Sequence, residues 1–382
     1  MIADIGHSPG LPNMRRLVIV LLLVPVVLAA ERRAKNVILF LADAGGIPTI
    51  HAASLHGYGA PRRLFVQRMP HIGLSDTSSA SRFVTDSAAG MTAIVTGHRT
   101  HNSMIAQSAS GERGVRDGEP LKTILEHAEE RGLSTGIITN DALSGATPAS
   151  LYAKANDRAQ TAAIFQQVFT PRIGDGVDVM IGAGRPAITK ALAAAGVELD
   201  VLAREKGRPL LPSLAEVAPD ATRAIVLLDS ADFDLTAAMQ HALRILSRNR
   251  KGYFLMVEWD THTDSLRRGL DRMVALDRVI ERTAQGAGRD TLLLFTADHS
   301  FDIRVRGGQP GTPLLEGLDE AEAKRIEENR RDIRIPAVRM DNGHTGEEVL
   351  AAAQGPGADR VRGYLANTDL FGVMMNAFGW KQ

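Results

Sequence analysis

The chain reads as an α/β protein: a three-layer sandwich around one mostly parallel central sheet, with a small or absent cap. Two observations predict this. Short continuous apolar runs alternate with amphipathic stretches along most of the sequence, a pattern that implies strands covered on both faces by helices. Several of those runs end in Asp, Glu or His, where open α/β sheets carry their ligand sites.

Taken in order, Asn36 to Leu41 is an apolar run stopping at Asp43, Ala44, Gly45 and Gly46. Leu121 to Arg131 has helical spacing, and Ser134 to Thr139 then predicts a strand. Asp178 to Ile181 is a short strand stopped by Gly182, Ala183 and Gly184. Ile188 to Ala195 and Leu235 to Arg248 predict helices. Tyr253 to Val257 and Thr291 to Thr296 are again apolar strands, the first followed by Glu258, the second by Asp298 and His299. Leu318 to Asp332 predicts a charge-rich, solvated helix. Residues 186–229 predict a small cap or peripheral element, too short for a second large domain.

Composition narrows the function. The 382 residues carry 44 basic and 44 acidic side chains, and this neutral balance argues against nucleic acid as a partner. Arg15 and Arg16 precede the apolar run Leu17 to Ala30, which Glu31, Arg32 and Arg33 follow. That order predicts a signal peptide over residues 1–30, cleaved near Ala29 or Ala30, and a mature domain over 31–382 in the periplasm or outside the cell. The run is short for a membrane span, so no stable anchor is expected; Met14 is an alternative start to Met1. Cysteine is absent, so any zinc ligand must be His or carboxylate.

The most specific segment is Val84 to Gly97. Asp86 and Ser87 precede a small-residue run that suits a helix start, where backbone N–H groups favour an anion. Read alone, Ser87 is more simply an N-cap.

In its wider context this segment resembles the nucleophile motif of the alkaline phosphatase family. Asn36 to Gly46, Ala146 to Arg158, Gly252 to Glu258, Thr296 to Ser300 and Gly343 to Gly346 resemble further family motifs in the same order. The resemblance implies a phosphomonoesterase forming a phosphoserine at Ser87, with Arg158 gripping two phosphate oxygens. It implies two Zn2+ and one Mg2+ at the sheet's carboxyl edge. Asp43, Asp298 and His299 would hold one zinc, His344 the other, and Asp43, Thr147 and Glu258 the magnesium. Small phosphate monoesters are the implied substrates, and a homodimer is common in the family.

Some positions depart from the pattern. The stretch Glu258, Trp259, Asp260, Thr261, His262, Thr263, Asp264 is compressed. Asp260 and His262 are the first choice for the remaining zinc ligands. A one-turn helix would instead pair Glu258 with His262, or Asp260 with Asp264. Phe301 stands where many members carry histidine, and Gly145 where they carry Asp or His. Two rival readings remain: a phosphodiesterase, whose threonine nucleophile would sit two residues later than Thr85, and a non-catalytic metal- or phosphate-binding protein on the same scaffold. The Pro and Arg of a sulfatase motif are missing after Ser87.

Overall fold

The computed structural model describes Gly6 and residues 33–319, 321, 323–324, 332–341 and 343–381. The expected leader and most of the expected helix over Leu318 to Asp332 lie outside these residues. Among the described residues no helix is long and apolar enough to cross a membrane.

The chain begins with β1 (Asn36–Asp43), α1 (Ile47–Tyr58), β2 (His71–Ser75), α2 (Ser87–Thr96) and α3 (Ile124–Glu130). There follow β3 (Ser134–Ala142), α4 (Ala146–Tyr152), α5 (Thr161–Gln166), β4 (Val179–Ala183), α6 (Arg185–Ala194) and α7 (Leu199–Glu205). Next come β5 (Leu210–Leu211), β6 (Ala224–Leu227), α8 (Leu235–Leu246), β7 (Tyr253–Asp260), α9 (Leu266–Gly286) and β8 (Thr291–Thr296). The remainder supplies β9 (Ser300–Phe301), β10 (Arg304–Val305), β11 (Ile333–Arg334), β12 (Val338–Met340), β13 (His344–Thr345), β14 (Val349–Gln354), β15 (Gly363–Leu365) and a last helix, Asp369–Phe378.

Ten strands form one sheet in the order β15-β2-β14-β8-β1-β7-β3-β4-β6-β5. Its pairings are parallel except where β14 meets β2 and β8. Alternation along β1 explains the layers. Val37, Leu39 and Leu41 enter one apolar core, while Ile38, Phe40 and Ala42 enter the other on the opposite face. Helix α8 covers its face with Leu235, Ala238, Met239, Ala242, Ile245 and Leu246, the spacing of an amphipathic helix. Asp234 caps it, accepting from Thr236 and Ala237 N–H.

Three strands run past the apolar segments that predicted them, because ladder hydrogen bonds continue whatever the side chain. β1 extends through Asp43, β7 through Asp260 and β3 through Ala142. Asp43 and Asp260 are register partners. The carboxylates therefore belong to the strands themselves. Residues 258–260 are strand, so the one-turn helix that would have paired Glu258 with His262 does not form. Within residues 186–229, β5 and β6 extend the sheet at the edge away from β1.

Candidate active site

The sheet centre, β8-β1-β7-β3, delivers the chemistry. β1 ends in Asp43, β7 carries Glu258 and Asp260, and the turn after β8 holds Asp298 and His299. Asp43, Glu258, Asp298 and His299 are all buried. The antiparallel pair β9–β13 brings His344 opposite Phe301, two residues beyond His299.

Two clusters of ligand atoms form here. Asp43, Asp298 and His299 each offer one atom within 4.8 Å of the others, and so do His262, His299 and His344. His299 Nε2 is 3.3 Å from Asp43 Oδ1 and 3.6 Å from Asp298 Oδ2. Its Nδ1 lies 3.1 Å from the Ser300 carbonyl, which can only accept. That assigns the neutral ring's proton to Nδ1 and leaves the Nε2 lone pair facing the carboxylates. His344 follows the same logic, with Nδ1 3.3 Å from the Thr85 carbonyl and Nε2 3.4 Å from His262 Nε2. Phe301 packs edge-on against His262 at 5.2 Å between ring centroids, an apolar wall beside the imidazoles.

A third, oxygen-only pocket lies alongside. Thr139, on β3, donates its hydroxyl to Glu258 Oε2. Thr147, buried at the second residue of α4, lies beside the Glu258 carboxyl. Asp43 Oδ1, Glu258 Oε1, Asp298 Oδ2 and Thr147 Oγ1 are buried with no hydrogen-bond partner. Stranded oxygens of this kind are expensive in a low-dielectric interior. The donor set fits cations: mixed imidazole and carboxylate suit zinc, and oxygen alone suits magnesium.

Ser87 sits at the same focus. Asp86 is the N-cap of α2, accepting from Ala89 N–H. The capping alternative for Ser87 therefore falls away, and its hydroxyl is 3.3 Å from His299 Nε2. A Cβ at Gly90 would come within 2.8 Å of the Asp298 carbonyl, so glycine lets this helix lie against the metal-capable turn. Asp86 also accepts from Arg158 Nη1 at 3.3 Å, which ties the guanidinium to the residue preceding the serine. Thr85 turns its hydroxyl to the Asp86 carbonyl.

Electrostatics register the missing positive charge. Burial pushes Glu258 well above the carboxylate range, helped by Asp43 and Asp141. Burial and Asp43 raise Asp298 to about 6. For Asp43 burial acts upward, yet His262 and His299 outweigh it and hold the group low. His262 is pulled up to about 10, since Asp43, Asp260 and Asp298 overcome the opposing burial. His344 is pushed down to about 4 by burial and by His299.

The sequence-derived residues do not all converge. Asp260 joins neither cluster: its Oδ1 is 2.8 Å from His262 Nδ1 and its Oδ2 accepts from Arg272 Nη1 at 2.8 Å. Asp264 accepts from the Ser265 N–H. Sequence reasoning missed Arg272, Thr139 and Asp141. Arg272 had no signal at all. Asp141 had one, an acid just beyond an apolar strand run.

The sequence model of a family described as alkaline phosphatase matches residues 34–218 and 225–328. Streptomycin-6-phosphate phosphatase of Streptomyces griseus is 28% identical, the match covering 91% of each chain. Alkaline phosphatase 4 of Bacillus subtilis is 26% identical, covering 88% of this chain and 87% of its own. In fold, the alkaline phosphatase of Thermus thermophilus superposes with a TM-score of 0.74 at 23% identity, covering 92% of both chains. That of the Antarctic bacterium TAB5 reaches 0.71 at 21% identity, covering 92% of this chain and all of its own. The match of the family's sequence model over most of the chain decides the matter: this protein belongs to the alkaline phosphatase family.

Proposed function

We propose that the protein is an exported alkaline phosphatase that hydrolyses phosphate monoesters through a phosphoserine at Ser87. The observation that carries this reading is the Ser87 hydroxyl, released from capping by Asp86 and 3.3 Å from His299 Nε2, beside carboxylate oxygens that have no hydrogen-bond partner. Asp43, Asp298 and His299 would hold one zinc ion, with His262 and His344 at the second. Asp43, Thr147 and Glu258 would hold magnesium. When bound, these ions supply positive charge that lowers the pKa of nearby hydroxyls and stabilises the oxygens of the transferring group.

The chain's own residues do the rest. Arg158, steadied by Asp86, offers a planar fork to two phosphate oxygens. The N-terminus of α2 adds backbone N–H groups on the same side. Ser87 Oγ forms a bond to phosphorus as the ester P–O bond breaks, and the hydroxyl proton ends on the departing alcohol. Water then attacks phosphorus, releasing phosphate and restoring Ser87. Residues 31–382 would form the catalytic domain, delivered to the periplasm or medium by the leader over 1–30, and a homodimer is the expected assembly.

The test is hydrolysis of p-nitrophenyl phosphate at alkaline pH by the purified chain. Turnover should vanish on chelation and in Ser87→Ala, with the variant still folded. Undiminished turnover in Ser87→Ala would remove the phosphoserine route, and no turnover in the zinc- and magnesium-loaded wild type would favour the non-catalytic reading.

A further inference from the structure

Gly145, the N-cap of α4, sets no side chain beside the oxygen-lined pocket, yet the space is filled. A Cβ built on Gly145 would lie 2.3 Å from Asp141 Oδ2, 2.8 Å from the Ala142 carbonyl oxygen and 3.1 Å from Asp141 Cγ. The Asp141 carboxylate, with the Ala142 carbonyl, thus occupies the volume that a side chain at 145 would need. Its route there follows from the sheet. Thr139 is the register partner of Glu258, and Asp141 lies two residues further along β3, within the stretch where the strand's register with β4 shifts. Asp141 N–H donates to the very Thr139 hydroxyl that reaches Glu258.

We propose that Asp141 is the outer carboxylate of the pocket formed by Asp43, Thr147 and Glu258, replacing a side chain at 145 and serving a hydrated divalent cation, Mg2+. The inference rests on the assignment of that pocket to magnesium made above. Orphaned oxygens point to a ligand. Thr147 Oγ1 and Glu258 Oε1 are buried without a hydrogen-bond partner. Asp43 Oδ1, at the same pocket, is orphaned in the same way. Mg2+ keeps several of its waters when bound, and a carboxylate beyond the direct ligands accepts hydrogen bonds from them. Groups in that position tune metal affinity by about 10–100-fold.

Calorimetric titration of Mg2+ into the zinc-loaded full chain tests this. Asp141→Asn should weaken Mg2+ binding by about tenfold or more with zinc content unchanged. Asp141→Glu, which keeps the carboxylate, should bind within a few fold of wild type. Gly145→Asp should lower Tm, because its Cβ would meet both the Asp141 carboxylate and the Ala142 carbonyl. An unchanged Kd in Asp141→Asn, a loss in Asp141→Glu as large as that in Asp141→Asn, or an unshifted Tm in Gly145→Asp would each overturn the proposal. A zinc-loaded wild type that takes up no Mg2+ would instead refute the pocket's assignment, a result distinct from an unchanged Kd.

Discussion

Two groups of buried carboxylates in this molecule obey opposite rules. Away from the sheet's carboxyl edge, Asp277 and Glu129 find partners within the fold. Asp277 accepts from the backbone N–H groups of Phe65 and Val66, and Glu129 takes the Thr135 hydroxyl. At the edge, Asp43, Glu258 and Asp298 keep oxygens without a hydrogen-bond partner among the described residues. The first group closes local packing and tethers one element to another. The second is a standing electrostatic debt that an external cation would settle, which is how a site advertises its ligand.

The largest expected effect comes from removing an edge carboxylate. Asp298→Asn should cost about 10³-fold in kcat/KM, or about 4 kcal/mol, with zinc content lowered. The metal-free Tm should hold or rise, because one buried charge has gone; a large fall in that Tm would put Asp298 in the structural group. Next, chelation of the wild type should reduce stability by about 3–4 kcal/mol, the linkage expected at metal concentrations of about 100–1,000 times Kd. Calorimetric Tm with and without chelator measures it, and equal values would break the contrast.

Asp277→Ala should lower stability by about 2–3 kcal/mol by stranding two buried N–H groups, equally with and without chelator, and leave kcat of the folded fraction unchanged. The smallest effect concerns pH. Burial, relieved only in part by the Thr135 hydroxyl, lifts Glu129 from 4.5 to about 7. The folded state therefore holds a proton that the unfolded chain releases, and stability falls as pH rises through this range. Glu129→Gln should flatten that fall by about 1–2 kcal/mol between pH 5 and 8, read from urea midpoints; an unaltered slope would remove Glu129 as its source.

Much of the sheet was legible because a buried parallel strand must be apolar along its length. β8 spans the very run Thr291 to Thr296 that predicted it. Asp43, Asp298 and His299 were legible as polar stops to such runs. What stayed hidden depended on neighbours distant in sequence. Nothing in the run after Ser134 says that β3 lies beside β7, so Asp141 gave no sign that it stood near Glu258. Arg272 lies on α9, a helix beyond the compressed segment, and its reach to Asp260 depends on how that helix packs. Position 260 reads as a ligand from the resemblance and its place at a strand end; its two oxygens face an imidazole and a guanidinium.

The short clasp between β9 and β13 has a broader meaning. It closes the excursion of residues 302–343 by registering His344 against Phe301 and Thr345 against Ser300. The imidazoles on either side of the clasp are thereby indexed to each other independently of how much polypeptide intervenes. Lengthening or exchanging that excursion should therefore leave the stacked rings of His299 and His344, 3.8 Å between centroids, in place.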